Sequence, residues 1–159
     1  MKLAARTAVP LVAVAALAGC AHSPSTAAIV GDKVISEAEV TEAVNSCRKI
    51  NPQIKRLDVL FPLILGEIAD EVSPKLGRTI DAAKLRAAME ADPDASQAFG
   101  TPCQKVVEGE LKMRYLQASV DVEAVLQELP RVEINPRYGA WSPRGIDRRG
   151  GSISVETKS

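Results

Sequence analysis

The sequence predicts a mainly α-helical domain built from small aliphatic side chains. Aromatic residues make up only 3% of the 159 residues, while Ala, Val, Leu and Ile are plentiful. That composition favours helices that pack closely. Most of the chain after residue 36 carries apolar residues three or four positions apart, the spacing of one helix face. Only residues 28–35 and 131–134 have the β-branched or alternating pattern of short strands.

The first twenty residues have the pattern of an export signal. Lys2 and Arg6 precede an apolar run, Thr7–Leu17, that is about half as long as a membrane-spanning helix. The run ends in Leu-Ala-Gly-Cys, which resembles the bacterial lipobox. The resemblance implies a signal peptide at 1–19, cleavage before Cys20, and a diacylglycerol (palmitate-bearing) anchor on Cys20. The lipid bilayer would then be a partner, with the protein on the extracytoplasmic face of the cell membrane. The alternative is an ordinary signal peptide with a chance cysteine.

Residues 20–27 are small and polar, and we expect a linker there that holds the domain away from the bilayer. The only histidine, His22, lies in this linker, so no metal site is expected. The formal net charge is zero. This charge balance gives no indication of a nucleic-acid partner. No cofactor is predicted.

The segment after the linker predicts a short strand and then a helix. Residues 28–35 predict a short strand with a turn or kink at Gly31-Asp32. Ser36 and Glu39 have the spacing of a capping box and begin a helix, which places Cys47 on its inner face. Asn51-Pro52 ends this helix.

The most apolar segment predicts a central helix between Ile54 and Val72. Pro62 indicates either a kink or a helix that begins near Leu60. Ser73-Pro74 and Gly77 are expected to end it.

Three further helices are predicted. Thr79-Ile80-Asp81 begins one with an N-cap and an acidic first turn, and Asp92-Pro93 ends it. The next begins at Cys103, and a short one ends at Pro130. In the helix that begins at Cys103, the apolar stripe expected to face the core comprises Cys103, Val107, Leu111, Tyr115 and Ala118, with Val106 beside it.

If Cys20 carries lipid, two cysteines remain, Cys47 and Cys103. Both lie on predicted inner helix faces, and an exported protein is outside the reducing cytosol, so a disulfide is expected. A redox couple is the alternative, but such cysteines usually lie close together in sequence.

The order of elements resembles the N-terminal chaperone domain of the SurA and PrsA group of exported folding factors. Residues 28–40 and 77–85 carry the resemblance, and residues 132–139 look like the segment that completes the domain. The resemblance implies a helical domain, 28–139, in which one short two-strand pairing joins the first and last segments. The tail, 140–159, is expected to be disordered, with Trp141 folding back on the domain.

The resemblance implies binding of unfolded or extended exported polypeptides. Relatives with prolyl isomerase activity carry a parvulin domain before the closing strand, and only one short helix fits between Ser119 and Arg131. No nucleophile elbow or phosphate loop is present either, so we expect no catalysis.

Flexible or aromatic apolar side chains suit promiscuous contacts. The candidate peptide-binding residues on this ground are Phe61, Met89, Phe99, Met113 and Tyr115.

An envelope scaffold lipoprotein that binds one folded partner is the alternative function. It would use the same helical surface, and either function needs an exposed apolar patch.

Overall fold

The computed structural model describes residues 23–142 and 144–148. The predictions for 1–22 and 149–159, including the signal peptide and Cys20, lie outside these residues. The fold is mainly α-helical, as the sequence predicts. The helices are α1 (Glu37–Cys47), α2 (Arg56–Lys75), α3 (Ala82–Glu90), α4 (Pro93–Ser96), α5 (Gln104–Ser119) and α6 (Val122–Gln127). The strands are β1 (Thr26–Val30), β2 (Lys33–Ser36), β3 (Val132–Ile134), β4 (Ala140–Ser142) and β5 (Gly145–Asp147).

A three-stranded antiparallel sheet, in the order β2-β1-β3, joins the two ends of the domain. The expected pairing of the first and last segments is confirmed, with Ala28 opposite Ile134 and Val30 opposite Val132. Of the two alternatives for Gly31-Asp32, a turn or a kink, the turn is confirmed, and it divides the predicted strand into the hairpin β1-β2. Gly31 makes its tight turn at φ +55°, a conformation that favours glycine.

The predicted boundary between linker and domain is wrong by a few residues. Thr26 and Ala27, which we assigned to the linker, belong to β1, and the side chain of Ala27 is fully buried. The carbonyl of Ala27 accepts a hydrogen bond of 2.8 Å from the amide of Asn135. Small residues that resemble a linker in the sequence therefore form the first part of β1, the central strand. Burying a side chain as small as that of Ala27 costs little conformational entropy.

The predicted disordered tail begins with an ordered hairpin, β4-β5, in which Trp141 lies opposite Ile146. Trp141 does fold back on the domain, with its ring centroid 6.1 Å from that of Phe61. Each strand has only three residues, too few to show an alternating pattern in the sequence. The expected boundary at Gly139 therefore does not hold.

Helix α2 is the centre of the core, and Leu60, Ile64 and Ile68 are almost fully buried on it. It begins at Arg56, where the backbone amide of the N-cap Lys55 donates to the Asp58 carboxylate. Pro62 lies inside the helix, and the helix continues past the predicted stop to Lys75. A proline in the last turn removes only one hydrogen bond, which explains why Pro74 does not end the helix earlier.

Helices α2 and α5 cross where a glycine of each meets the other. A Cβ atom on Gly66 would lie 3.0 Å from Gly109 Cα, and one on Gly109 would lie 2.1 Å from the Pro62 carbonyl oxygen. The two backbones can approach this closely only because neither position has a side chain. The crossing sets the orientation of α5, and thus of the surface it presents away from the core.

Candidate functional site

Cys47, at the end of α1, and Cys103, just before α5, lie at disulfide distance, with their Cα atoms 5.0 Å apart. Both side chains are buried. The hydroxyl of the neighbouring Ser46 accepts a hydrogen bond of 3.3 Å from the Cys103 amide. This linkage holds the start of α5 against the end of α1, as the sequence predicts.

Helix α5 has two apolar faces, and its predicted core stripe is only partly right. The residues of α5 that are buried are Val106, Gly109, Met113 and Leu116. Of the predicted stripe, Cys103 and Val106 are buried, Val107, Leu111 and Tyr115 are half-buried, and Ala118 is exposed. Gly109 explains the error, because a glycine carries no apolar signal although it marks the centre of the contact with α2.

The half-buried stripe of α5 lines a groove. Its opposite wall is α3 beside Tyr115, and near the disulfide it is the connection between α1 and α2, with α4 and Ala88 of α3. A cavity of about 590 Å³ lies at its disulfide end and one of about 260 Å³ at its Tyr115 end, and Ala88, Leu111 and Arg114 line both. We call this continuous surface the α3–α5 groove. Its apolar lining comprises Cys47, Ile50, Ile54, Ile80, Leu85, Ala88, Ala95, Cys103, Val106, Val107, Leu111, Tyr115 and Ala118.

The charges of the groove are unevenly distributed. At the disulfide end, four carboxylates accompany one guanidinium, that of Arg114. These carboxylates are those of Asp58, Asp92, Asp94 and Glu110. The Tyr115 end has one carboxylate, Asp81, beside Lys84 and Arg114.

The structure does not bring the five candidate peptide-binding residues together. Met89 is fully buried in the core, and Met113 is 6% exposed. Phe61 and Met113 line a cavity of about 90 Å³ on the other side of the molecule, beside α6 and Trp141. Phe99 packs under the guanidinium of Arg86, 5.5 Å from its ring centroid, in a separate polar cleft. Of the five, only Tyr115 lines the α3–α5 groove.

A polar cluster that the sequence analysis does not predict lies where α1, α2 and the segment after β3 meet. The Glu37 side chain is 16% exposed and its Oε2 lies 2.6 Å from Arg56 Nη2. The hydroxyl of Tyr138 donates to the same oxygen at 2.8 Å and accepts from Arg56 Nε at 3.1 Å. Oε1, which accepts no hydrogen bond within the described residues, lies 3.7 Å from Arg137 Nε.

The cluster changes the acidity of two of its members. Burial raises the pKa of the Tyr138 phenol above its ordinary value. The hydrogen bond with Tyr138, and further the one with Glu37, raises the pKa of Arg56. Both shifts favour the protonated forms that the cluster uses. Glu37, Arg56 and Tyr138 come from α1, α2 and the segment after β3, so the cluster joins the two ends of the domain, and none of the three lines the groove.

Within residues 23–142 and 144–148, no group of three or more His, Cys, Asp or Glu side chains is arranged to hold a metal ion. In the same part of the chain, every helix is too short or too polar to cross a bilayer. No protein-family model, curated protein or solved structure matches this chain.

Proposed function

We propose that this protein is an extracytoplasmic lipoprotein, anchored through Cys20, that binds apolar segments of unfolded exported polypeptides without catalysing a reaction. The α3–α5 groove is the binding site. The resemblance of residues 28–40 and 77–85 to the chaperone domain of the SurA and PrsA group supports this assignment.

The observation that carries the proposal is the second apolar face of α5. Val107, Leu111 and Tyr115 recur at helical spacing and stay partly exposed, whereas the fully buried residues of α5 lie on its other face. Val107 and Leu111 pack against the edge of the core, and the exposed part of the stripe can bury apolar surface of another molecule. Side chains of a bound segment would gain about 25 cal/mol per Å² of apolar area removed from water.

A light-scattering assay with an unfolded model protein tests the function. The mature chain is expected to suppress aggregation when present in several-fold excess. Ala88 is exposed and lines both cavities of the groove, whereas Ala87 is exposed and lines neither. Ala88→Gln is therefore expected to weaken suppression, and Ala87→Gln, which changes helix propensity equally, is the matched control. Aggregation at an unchanged rate with the wild-type protein would contradict the proposal.

The anchor is tested separately in a bacterial host that processes lipoproteins. Growth with labelled palmitate is expected to label the wild-type protein and leave Cys20→Ser unlabelled. Label that persists in the variant, or that is missing from the wild-type protein, would contradict the anchoring at Cys20.

One observation favours the alternative function, a scaffold for one folded partner. Val122 and Leu126 lie one helical turn apart on α6 and are 54% and 40% exposed. Both also line the cavity that Phe61 and Trp141 line, so they form an exposed apolar surface at its edge. Cross-linking in cells followed by mass spectrometry separates the two functions, since a scaffold gives one dominant partner and the groove function gives many.

A further inference from the structure

We infer that the α3–α5 groove selects apolar segments that carry Lys or Arg at one end. This inference rests on the proposed function, because it describes the occupant of the same groove. It concerns the distribution of charge along the groove, which determines the direction of a bound segment and which the apolar stripe alone does not determine.

The disulfide end of the groove supplies the selectivity. Asp58, Asp92, Asp94 and Glu110 are all exposed and surround an apolar floor that includes Val107 and Leu111. The carboxylates of Asp58 and Asp92 are held by backbone amides, at 2.8 Å from Lys55 and 2.9 Å from Asp94, so they stay fixed at the rim. Among the described residues, Arg114 is the only cation that lines this end, so cationic side chains of an occupant are attracted there and acidic ones are repelled.

The Tyr115 end has the opposite character. Lys84 and Arg114 outnumber Asp81, whose carboxylate accepts from the backbone amides of Ala83 and Lys84. The floor between them consists of Ile80, Leu85 and Leu111 with Tyr115. The groove is thus acidic at one end and apolar with a cationic edge at the other, which fixes the direction in which a basic-ended segment lies.

The dimensions fit a short segment. The groove-lining residues of this wall begin at Cys103, just before α5, and end at Ala118, and at 1.5 Å per residue this stretch extends over roughly 20 Å. An extended chain of roughly six residues spans that distance.

Fluorescence anisotropy with the full mature chain tests the inference. Three labelled peptides share one apolar core of Leu and Val and end in Lys, Ser or Glu residues. The Lys-ended peptide is expected to bind about tenfold more tightly than the Glu-ended one at about 50 mM salt, and the difference is expected to shrink at about 500 mM salt. Asp94→Asn with Glu110→Gln should reduce the difference by more than half. Glu128→Gln, at an exposed position just after α6 and outside the groove lining, should preserve it.

The outcomes separate the two ideas. Equal binding of the three peptides, or tighter binding of the Glu-ended one, overturns the selectivity and leaves the groove function standing. A preference that the Asp94 and Glu110 changes leave intact also overturns it, because the charges would then act from elsewhere. No binding of any peptide overturns both.

Discussion

The hydroxyl of Tyr138 donates a 2.8 Å hydrogen bond to the carboxylate of Glu37, which lies 101 residues earlier in the chain. Arg56 binds both groups, so α1, α2 and the segment after β3 meet at one point. The sheet beside this point brings β1 and β3 together. The two ends of the domain are therefore joined by backbone pairing and by a charged cluster.

Removing the phenol oxygen tests this connection. Tyr138→Phe is expected to lower the free energy of unfolding by about 2 kcal/mol, since hydrogen bonds to charged groups contribute about 1.5–3 kcal/mol. Urea denaturation measures the change. Tyr115→Phe, on the groove side, is the matched control and should cost much less; equal losses for the two variants would contradict the role of the cluster.

The stability of the protein should fall in alkaline solution. Burial raises the folded pKa of Tyr138, so the folded protein holds this proton at a pH where the unfolded chain, with a pKa near 10, releases it. Its contribution is complete below about pH 10 and is lost as the pH rises through the folded pKa. Lys105, whose pKa is raised by its hydrogen bond with Glu39, acts in the same direction. The difference in unfolding free energy between wild type and Tyr138→Phe should therefore narrow above about pH 10, and a constant difference would refute this assignment.

The crossing of α2 and α5 should not tolerate a side chain on Gly109. A Cβ there would lie 2.1 Å from the Pro62 carbonyl oxygen, so backbone must move. Gly109→Ala is expected to cost about 3 kcal/mol or more, despite the gain of about 1 kcal/mol in helix propensity. Gly66→Ala, whose Cβ would contact Gly109 Cα at 3.0 Å, should cost less. Thermal denaturation measures the melting temperatures of the two variants, and Gly109→Ala should have the lower one. A lower melting temperature for Gly66→Ala would contradict the close contact of Gly109 with the Pro62 carbonyl oxygen.

The pair Cys47 and Cys103 closes a loop of 56 residues. The loss of loop-closure entropy in the unfolded chain predicts about 4 kcal/mol of stabilisation. The double variant Cys47→Ala, Cys103→Ala should therefore lower the free energy of unfolding by about 4 kcal/mol, or by less where neighbouring side chains repack around the two alanines. Intact-mass measurement with alkylation before and after reduction checks the bond itself; two thiols that alkylate without reduction would exclude it.

The sequence predicts the parts of this fold that depend on local chemistry. Ser36 caps α1 by accepting from the Glu39 amide, as its spacing indicates. The start of α3 is also found, but Asp81 is its N-cap and the predicted acidic first turn is wrong. Apolar periodicity finds the core face of α2. These features depend on neighbours within four residues, which a single sequence displays.

The candidate site could not be predicted in the same way. Which face of α5 is buried depends on Gly109 and Gly66, 43 positions apart, and a glycine that permits close approach looks like any helix-weakening glycine. Likewise, Glu37 looks like a solvent-exposed first-turn residue until Arg56 and Tyr138 reach it. The groove is defined by the tertiary packing that leaves Val107 and Leu111 partly exposed at the edge of the core, which no local sequence pattern shows.

Photo-cross-linking from inside the groove tests the central claim most directly. A benzoylphenylalanine is placed at Ala88 in one variant and at Ala87 in another, and each is irradiated with an unfolded model polypeptide. The account predicts strong adducts from position 88, mapped by mass spectrometry to apolar segments, and weak ones from position 87. Equal adducts from the two positions, or none from position 88 while binding persists, would contradict the assignment of the α3–α5 groove as the binding site.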